Sequence, residues 1–268
     1  MSLYSNTRAA LKELGVEPKK GLGQNFLVDD FVLQKILKAA ALSSSDKILE
    51  IGPGLGTLTK ELAKRAELVH AIEIDKRLSE RLSFILPANV NIICADFLKS
   101  DLPKDLNKAV ANLPYSITAP TLEKLLLGGF SSITVMVQEE VARRMIARPA
   151  QRKDYGALSL FVEYFAEAEI AAFVPANCFY PRPKVGSCVV NLRARPKKEK
   201  DLDLFKHIRA GFAHRRKTLA NCLAVLYPEN ATLISKILLE TGIKKNARAE
   251  TLTLADWVEL VKKLKNNV

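Results

Sequence analysis

The segment Ala111-Asn112-Leu113-Pro114-Tyr115 follows a short apolar run and combines residue types suited to one specific piece of chemistry. An amine attached to an aromatic ring, such as that of adenine, is a poor nucleophile because its lone pair is delocalised into the ring. Two acceptors that bind its N–H groups favour a pyramidal nitrogen and direct that lone pair outward. Asn112 Oδ1 can supply one acceptor. The backbone carbonyl of Leu113 can supply the other, because Pro114 restricts Leu113 to an extended conformation. Tyr115 adds an aromatic face suited to a planar base or to a cation. Taken alone, Asn112 and Pro114 would be an ordinary strand-ending turn. Three further strand ends carry features that fit the same chemistry.

The first is Gly52-Pro53-Gly54-Leu55-Gly56, which joins the apolar run Lys47 to Ile51 to a helical pattern starting near Thr57. Glycines at such a turn permit positive φ and let backbone N–H groups approach a ligand at a helix start. The spacing G-x-G-x-G differs from the G-x-G-x-x-G that seats a dinucleotide pyrophosphate, which argues against a nicotinamide cofactor. Glu50-Ile51-Gly52-Pro53-Gly54 resembles the first motif of Rossmann-like methyltransferases, whose loop holds the carboxypropyl and sugar parts of S-adenosylmethionine. Glu73 ends the next strand about 20 residues on, where a carboxylate can accept hydrogen bonds from both ribose hydroxyls. Nearby Asp75 reads better as the cap of the following helix. Asp96, after Cys94-Ala95, stands where it can accept the amine of the cofactor's adenine.

These positions require a scaffold that brings several strand ends together. Strand-like runs at Lys47 to Ile51, Leu68 to Ile74, Val90 to Ala95, Lys108 to Asn112 and Ser132 to Val137 read as buried strands. They alternate with helical patterns at Thr57 to Arg65, Lys76 to Leu86, Pro120 to Leu127 and Glu139 to Ala147. That order predicts an α/β domain with a doubly wound parallel sheet. Ala166 to Val174 and Ser187 to Arg193 read as two more strands, paired antiparallel across a proline-rich turn. A charged break from Arg195 to Asp201 precedes a helical stretch, so the expected division is a Rossmann-like domain over 1–194 and a smaller helical domain over 195–268.

Composition bounds the partners. The 268 residues are 48% hydrophobic and 26% charged, an ordinary globular balance, and the net charge of +12 favours a polyanion. Arg143, Arg144, Arg148, Arg152 and Lys153 form one basic cluster, and His214-Arg215-Arg216-Lys217 another. Both suit phosphate contacts that position RNA without reading its sequence, and the two together are expected to line one groove. Cys94, Cys178, Cys188 and Cys222 lack paired ligand spacing, and His70, His207 and His214 form no metal-like set, so reduced thiols and no metal are expected. No run reaches the roughly 20 apolar residues of a membrane span, and Met1 to Lys20 lacks the apolar core of a signal peptide. A cytoplasmic protein is the expectation.

Asn112-Leu113-Pro114-Tyr115 is similar to the (Asp/Asn/Ser)-Pro-Pro-(Tyr/Phe) signature of amino methyltransferases, and its leucine variant resembles that of the ribosomal RNA adenine dimethyltransferase family. Lys20-Gly21-Leu22-Gly23-Gln24-Asn25-Phe26-Leu27 resembles that family's N-terminal motif, which implies that Gln24, Asn25 and Leu27 close over the methionine end of the cofactor. Phe179-Tyr180-Pro181-Arg182-Pro183-Lys184-Val185 resembles its late F-x-P-x-P-K-V motif, which implies that Phe179 stacks on the flipped target base. The resemblance spans roughly residues 19 to 220 and departs at Arg182, Gly186 and Ser116, where the family often has proline, aspartate and asparagine. It implies S-adenosylmethionine as cofactor and a monomer acting on two adjacent adenosines. These lie in the hairpin near the 3′ end of small-subunit ribosomal RNA, modified within an assembling subunit. A methylase of large-subunit RNA shares the same loops, and an assembly factor without activity is the reading of a different class.

Overall fold

The computed structural model describes residues 2–18, 21, 23–196, 201–229 and 231–267. Lys20 and Leu22 of the N-terminal motif, and Lys197 to Lys200 of the charged break, lie outside the described residues. The strands are β1 (Phe26–Leu27), β2 (Lys47–Ile51), β3 (Leu68–Glu73), β4 (Val90–Cys94), β5 (Lys108–Asn112), β6 (Ser132–Gln138), β7 (Ala166–Val174), β8 (Phe179–Tyr180) and β9 (Ser187–Ala194). The helices are α1 (Leu3–Glu13), α2 (Asp30–Ala40), α3 (Thr57–Ala63), α4 (Lys76–Ile85), α5 (Thr118–Leu127), α6 (Glu139–Ile146), α7 (Ala157–Phe165), α8 (Leu202–Phe212), α9 (Leu219–Leu223), α10 (Ala231–Glu240) and α11 (Leu254–Asn267).

The chain divides into two compact units, one of Met1–Ala142 with Ala166–Ala194 and one of Arg143–Phe165 with Arg195–Val268. The first holds a seven-stranded sheet in the order β4-β3-β2-β5-β6-β9-β7. Neighbours from β4 to β6 run parallel, while β9 enters antiparallel between β6 and β7. Strand order reverses at β2, whose successor β3 lies on one side and β5 on the other, the arrangement that opens a crevice at the carboxyl ends of the strands. A separate two-stranded ladder pairs Phe26 with Tyr180 and Leu27 with Phe179.

Helix α2 places Val32, Leu33, Ile36, Leu37 and Ala40 on one face, at the spacing of an amphipathic helix, and buries them against Ile48, Val69, Val110, Met136 and Val189 of the sheet. Asp29 caps the helix by accepting from Val32 N–H at 2.9 Å. Each such aliphatic side chain contributes roughly 1.5–3 kcal/mol by burial. β2 and β5 occupy the residues expected for them. β4 does not have the buried character expected: it is the sheet's edge, and Asn91 and Cys94 are exposed there.

The second unit corrects the expected division. Arg143–Phe165, read from the sequence as part of the first domain, belongs with the C-terminal helices because its aromatic side chains pack there. Phe161 and Tyr164 of α7 lie 4.6 and 5.2 Å, centroid to centroid, from Phe205 of α8. Tyr155 is fully buried and its hydroxyl donates to the Leu252 carbonyl at 2.9 Å.

In the same unit Trp257 of α11 is fully buried, and its ring lies so close to Gly211 of α8 that a Cβ there would overlap it. Gly211→Ala should therefore destabilise the chain. The overpacking cost of about 1–3 kcal/mol outweighs the helix-propensity gain of about 1 kcal/mol. Urea unfolding followed by the fluorescence of Trp257 measures the difference.

Candidate active site

The carboxyl ends of β2, β3, β4 and β5 meet around a cavity of about 320 Å³. Its wall includes Gln24, Asn25 and Leu27, Gly52 and Gly54 from the loop after β2, Glu73 and Asp96, and Asn112, Leu113, Pro114 and Tyr115. Most of the positions singled out for cofactor binding and for the amine are thus brought together, by the turns that leave four neighbouring strands and by the N-terminal segment 23–27. Gly56 is not on the wall. It takes φ +80 at the start of α3, and a Cβ there would stand 2.7 Å from Leu82 Cδ2, so this glycine closes the packing of α3 on α4.

Glu73 organises the glycine loop. It is 4% exposed, and its Oε2 accepts from Gly54 N–H at 3.0 Å while Oε1 accepts from Asp75 N–H at 2.9 Å. Burial raises the Glu73 pKa, opposed by backbone hydrogen bonds from Asp75, Gly54 and Ile74 and reinforced by the nearby Asp75 charge. Asp75 caps α4 by accepting from Arg77 N–H at 3.1 Å, as its position suggested. Asp96 both lines the cavity and accepts from Leu98 N–H at 2.9 Å, so the expected ligand residue and the ordinary turn cap are the same group.

Glu50, in sequence only one member of the loop motif, is the most unusual acid of the site. It is 1% exposed, lines the cavity, and its Oε2 has no hydrogen-bond partner. Burial, partly offset by the Thr59 hydroxyl and reinforced by nearby Glu73, pushes its carboxyl up to about 8. A single acidic residue before a glycine loop carries no sequence signal of that isolation.

The Asn112–Tyr115 loop is held from two sides. Asn112 Nδ2 donates to the Asn25 carbonyl at 3.1 Å, which leaves Oδ1 as the acceptor of that amide. Asn25 Nδ2 in turn donates to the Gly23 carbonyl at 3.1 Å. Gly23 takes φ +65, and a Cβ there would stand 3.2 Å from Tyr115 N, so the N-terminal motif packs closely against the loop in a conformation that favours glycine. Leu113 N–H donates to the Met136 carbonyl at 3.1 Å, extending the β5–β6 ladder beyond Asn112. The Tyr115 and Ser187 hydroxyls share a hydrogen bond of 2.7 Å, and burial raises the phenol's pKa.

Phe179 is placed differently from expectation. It is 3% exposed, packs in the core with Val32, Leu37 and Val189, and is absent from the cavity wall. Its partner across the ladder, Leu27, lines the cavity instead. Alternation along β8 turns the Phe179 ring into the core, which a reading of the motif as a loop does not foresee.

The basic residues expected to contact RNA, namely Arg143, Arg144, Arg148, Arg215, Arg216 and Lys217, are exposed, and all belong to the second unit. Arg215 is already committed. Its guanidinium donates to the carbonyls of Lys153, Arg152 and Tyr155 at 2.9, 2.9 and 2.6 Å. It therefore ties the segment 152–155 to the loop after α8, a structural duty that a charge cluster does not reveal in sequence. Arg148 lies 3.8 Å from Glu163. Among the described residues no group of three His, Cys, Asp or Glu could hold a metal ion, and no helix is long and apolar enough to cross a membrane.

The cavity suits S-adenosylmethionine. In a chain of net charge +12 its wall carries Glu50, Glu73 and Asp96 and, among the described residues, no lysine or arginine. The carboxylates of Glu73 and Asp96 favour a ligand with positive charge, and the buried Glu50 carboxyl, held protonated, adds a neutral polar group to the same wall. Fold and site together define a Rossmann-like, S-adenosylmethionine-dependent methyltransferase.

The model of the family "Ribosomal RNA adenine dimethylase" matches residues 16–266. The chain is 44% identical to "Ribosomal RNA small subunit methyltransferase A" of Ligilactobacillus salivarius, over 96% of this chain and 93% of that relative. It is 46% identical to the protein of the same name from Lachnoclostridium phytofermentans, over 90% of each. Among solved structures, a dimethyladenosine transferase from Plasmodium falciparum superposes with a TM-score of 0.77 at 26% identity, covering 90% of this chain and 98% of that one. The 23S rRNA methyltransferase ErmE superposes with a TM-score of 0.64 at 28% identity, covering 90% and 100%. The chain belongs to the ribosomal RNA adenine dimethylase family.

Glu50 in the folded chain keeps its proton up to about 8, whereas the unfolded chain releases it near 4.5. Stability therefore falls as pH rises through that window. Glu50→Gln should flatten this fall, read as melting temperature against pH without cofactor; an unchanged slope would assign it to other groups. Separately, Arg215→Ala should lower the melting temperature, whereas Arg216→Ala should leave it nearly unchanged.

Proposed function

We propose that this protein transfers two methyl groups to the exocyclic amine of each of two adjacent adenosines in the 3′-terminal hairpin of small-subunit ribosomal RNA, within an assembling subunit in the cytoplasm. The observation that carries this reading is the Asn112 amide. Its Nδ2 is engaged by Asn25, so its Oδ1 is oriented as a hydrogen-bond acceptor at the end of β5. The match to relatives named for the small subunit supports the choice of RNA.

S-adenosylmethionine, when bound, supplies a methyl group on a positively charged sulfur. Glu50, Glu73 and Asp96, with Gln24, Asn25, Leu27, Gly52 and Gly54, form its pocket in this reading. Asn112 Oδ1 and the Leu113 carbonyl accept the two amine N–H groups and orient the nitrogen lone pair. Tyr115 presents its ring to the base, and its bond to Ser187 fixes the ring's position. The N–C bond forms as the methyl group's former bond breaks, and the methylated nitrogen, now acidic, loses its proton to water. No side-chain general base is required. Arg143, Arg144, Arg148, Arg216 and Lys217 are the proposed phosphate contacts, and the protein acts as a monomer.

The test supplies labelled S-adenosylmethionine and small subunits lacking the modification, and maps methylated adenosines by mass spectrometry. Wild type should yield dimethyladenosine pairs in the 3′-terminal hairpin. Asn112→Ala should slow transfer at least about a hundredfold, as loss of an oriented polar group at a reacting centre does. Methylation confined to large-subunit RNA would replace the proposed target, and cofactor binding without any transfer would replace the catalytic reading.

A further inference from the structure

A second cleft, on the first unit, opens beside the methyl-transfer cavity. It measures about 680 Å³ and is lined by Tyr4, Arg8 and Lys12 of α1 and by Tyr180 of β8. Tyr4, Arg8 and Lys12 follow at intervals of four and so form one exposed stripe along α1. The opposite side of the helix anchors it: Leu11, with Val16 just beyond, is buried against Phe26, Leu55 and Leu78. Ser2 caps the helix start by accepting from Ser5 N–H at 3.2 Å. The stripe is therefore presented by a fixed element.

The side chains there are arranged as a stacking platform. The Tyr4 and Tyr180 rings lie 5.9 Å apart at 88°, and the Arg8 guanidinium carbon is 5.9 Å from each ring centroid. Tyr4 is 43% exposed, a large aromatic surface left open to solvent. Arg8 and Lys12 are exposed and, among the described residues, form no ion pair with a carboxylate, Glu17 of the same cleft included, so both charges are available to a phosphate. An aromatic face beside unpaired cations is the pattern that binds unpaired nucleotides, by stacking and backbone neutralisation together. The cleft also adjoins the reaction site through one residue pair. Tyr180 is the ladder partner of Phe26, and Phe26 lines the cofactor cavity.

We propose that the Tyr4–Arg8–Lys12–Tyr180 cleft binds an unpaired nucleotide of the RNA next to the target adenosine. Its base stacks against the Tyr4 and Arg8 platform, and its phosphate pairs with Arg8 and Lys12. This rests on the reading of the substrate as RNA. The cleft holds a flanking nucleotide while the target base occupies the site at Asn112 and Tyr115, and so contributes to register on the strand.

The test compares wild type with a Tyr4→Ala/Arg8→Ala double variant in the full-length protein, after matched melting temperatures have shown that both are folded. A fluorescein-labelled RNA hairpin with an unpaired, adenine-containing loop is titrated without cofactor, alongside the same sequence closed into a full duplex. The double variant should bind the hairpin about tenfold or more weakly, with the duplex changed much less. Its salt dependence should also flatten by about 0.7 in log–log slope for each phosphate no longer neutralised. Tyr4→Phe alone should retain wild-type affinity. In transfer assays on small subunits the double variant should raise KM and leave kcat within about twofold.

Hairpin binding equal to wild type would overturn the proposal, as would an equal weakening on hairpin and duplex, which would mark a general charge effect. Because binding is read without transfer, an inactive wild type would count against the methyltransferase reading and leave the cleft to be decided by the titration.

Discussion

The donation of Asn112 Nδ2 to the Asn25 carbonyl joins the two parts on which this site depends. One is the end of a central parallel strand, rigid because β5 is paired on both sides. The other is a segment near the start of the chain with little regular structure, held by Gly23, the Asn25 side chain and the short β1–β8 ladder. An amide has two distinguishable ends, and engaging one determines what the other presents. The same bond that ties the N-terminal segment to the end of β5 therefore sets the direction of the acceptor that the proposed chemistry uses.

Electrostatics separates the two binding tasks of the molecule. The chain carries +12 overall, yet the cavity wall is acidic, and its deepest acid, Glu50, has an oxygen without a partner. A buried ionised carboxyl costs stability, and burial answers by holding the proton on it. Glu73 relieves the same cost differently, by accepting two backbone N–H groups and thereby shaping the glycine loop. A basic exterior attracts a polyanion at long range, and an acidic pocket selects a cationic small molecule at short range. The two do not cancel because screening confines each to its own distance scale.

The sequence made the strand ends legible because short apolar runs and glycine turns are local signals. Lys47–Ile51, Lys108–Asn112 and Ala166–Val174 occupy the residues expected from their composition. Elements defined by distant partners were harder to see. β1 and β8 are two residues each, too short for any periodicity, and exist only because Phe26 and Leu27 meet Tyr180 and Phe179. Arg143–Phe165 follows a sheet strand in sequence but packs its aromatics on α8, so proximity along the chain was a poor guide to its unit. Arg215 lies within a run of cations that reads as one surface patch, but three backbone carbonyls occupy it.

By itself the sequence determined the chemical inventory: the glycine loop, the acids that follow it at strand ends, the Asn112 to Tyr115 loop and the excess of positive charge. These are carried by residue type and local spacing, which do not change on folding. Tertiary structure decided how each member is used: the isolation of Glu50, the inward turn of Phe179, the backbone duty of Arg215 and the alignment of α1 beside Tyr180. Burial and hydrogen-bond pairing belong to relations between residues far apart in the chain, and the packing of the folded molecule sets them.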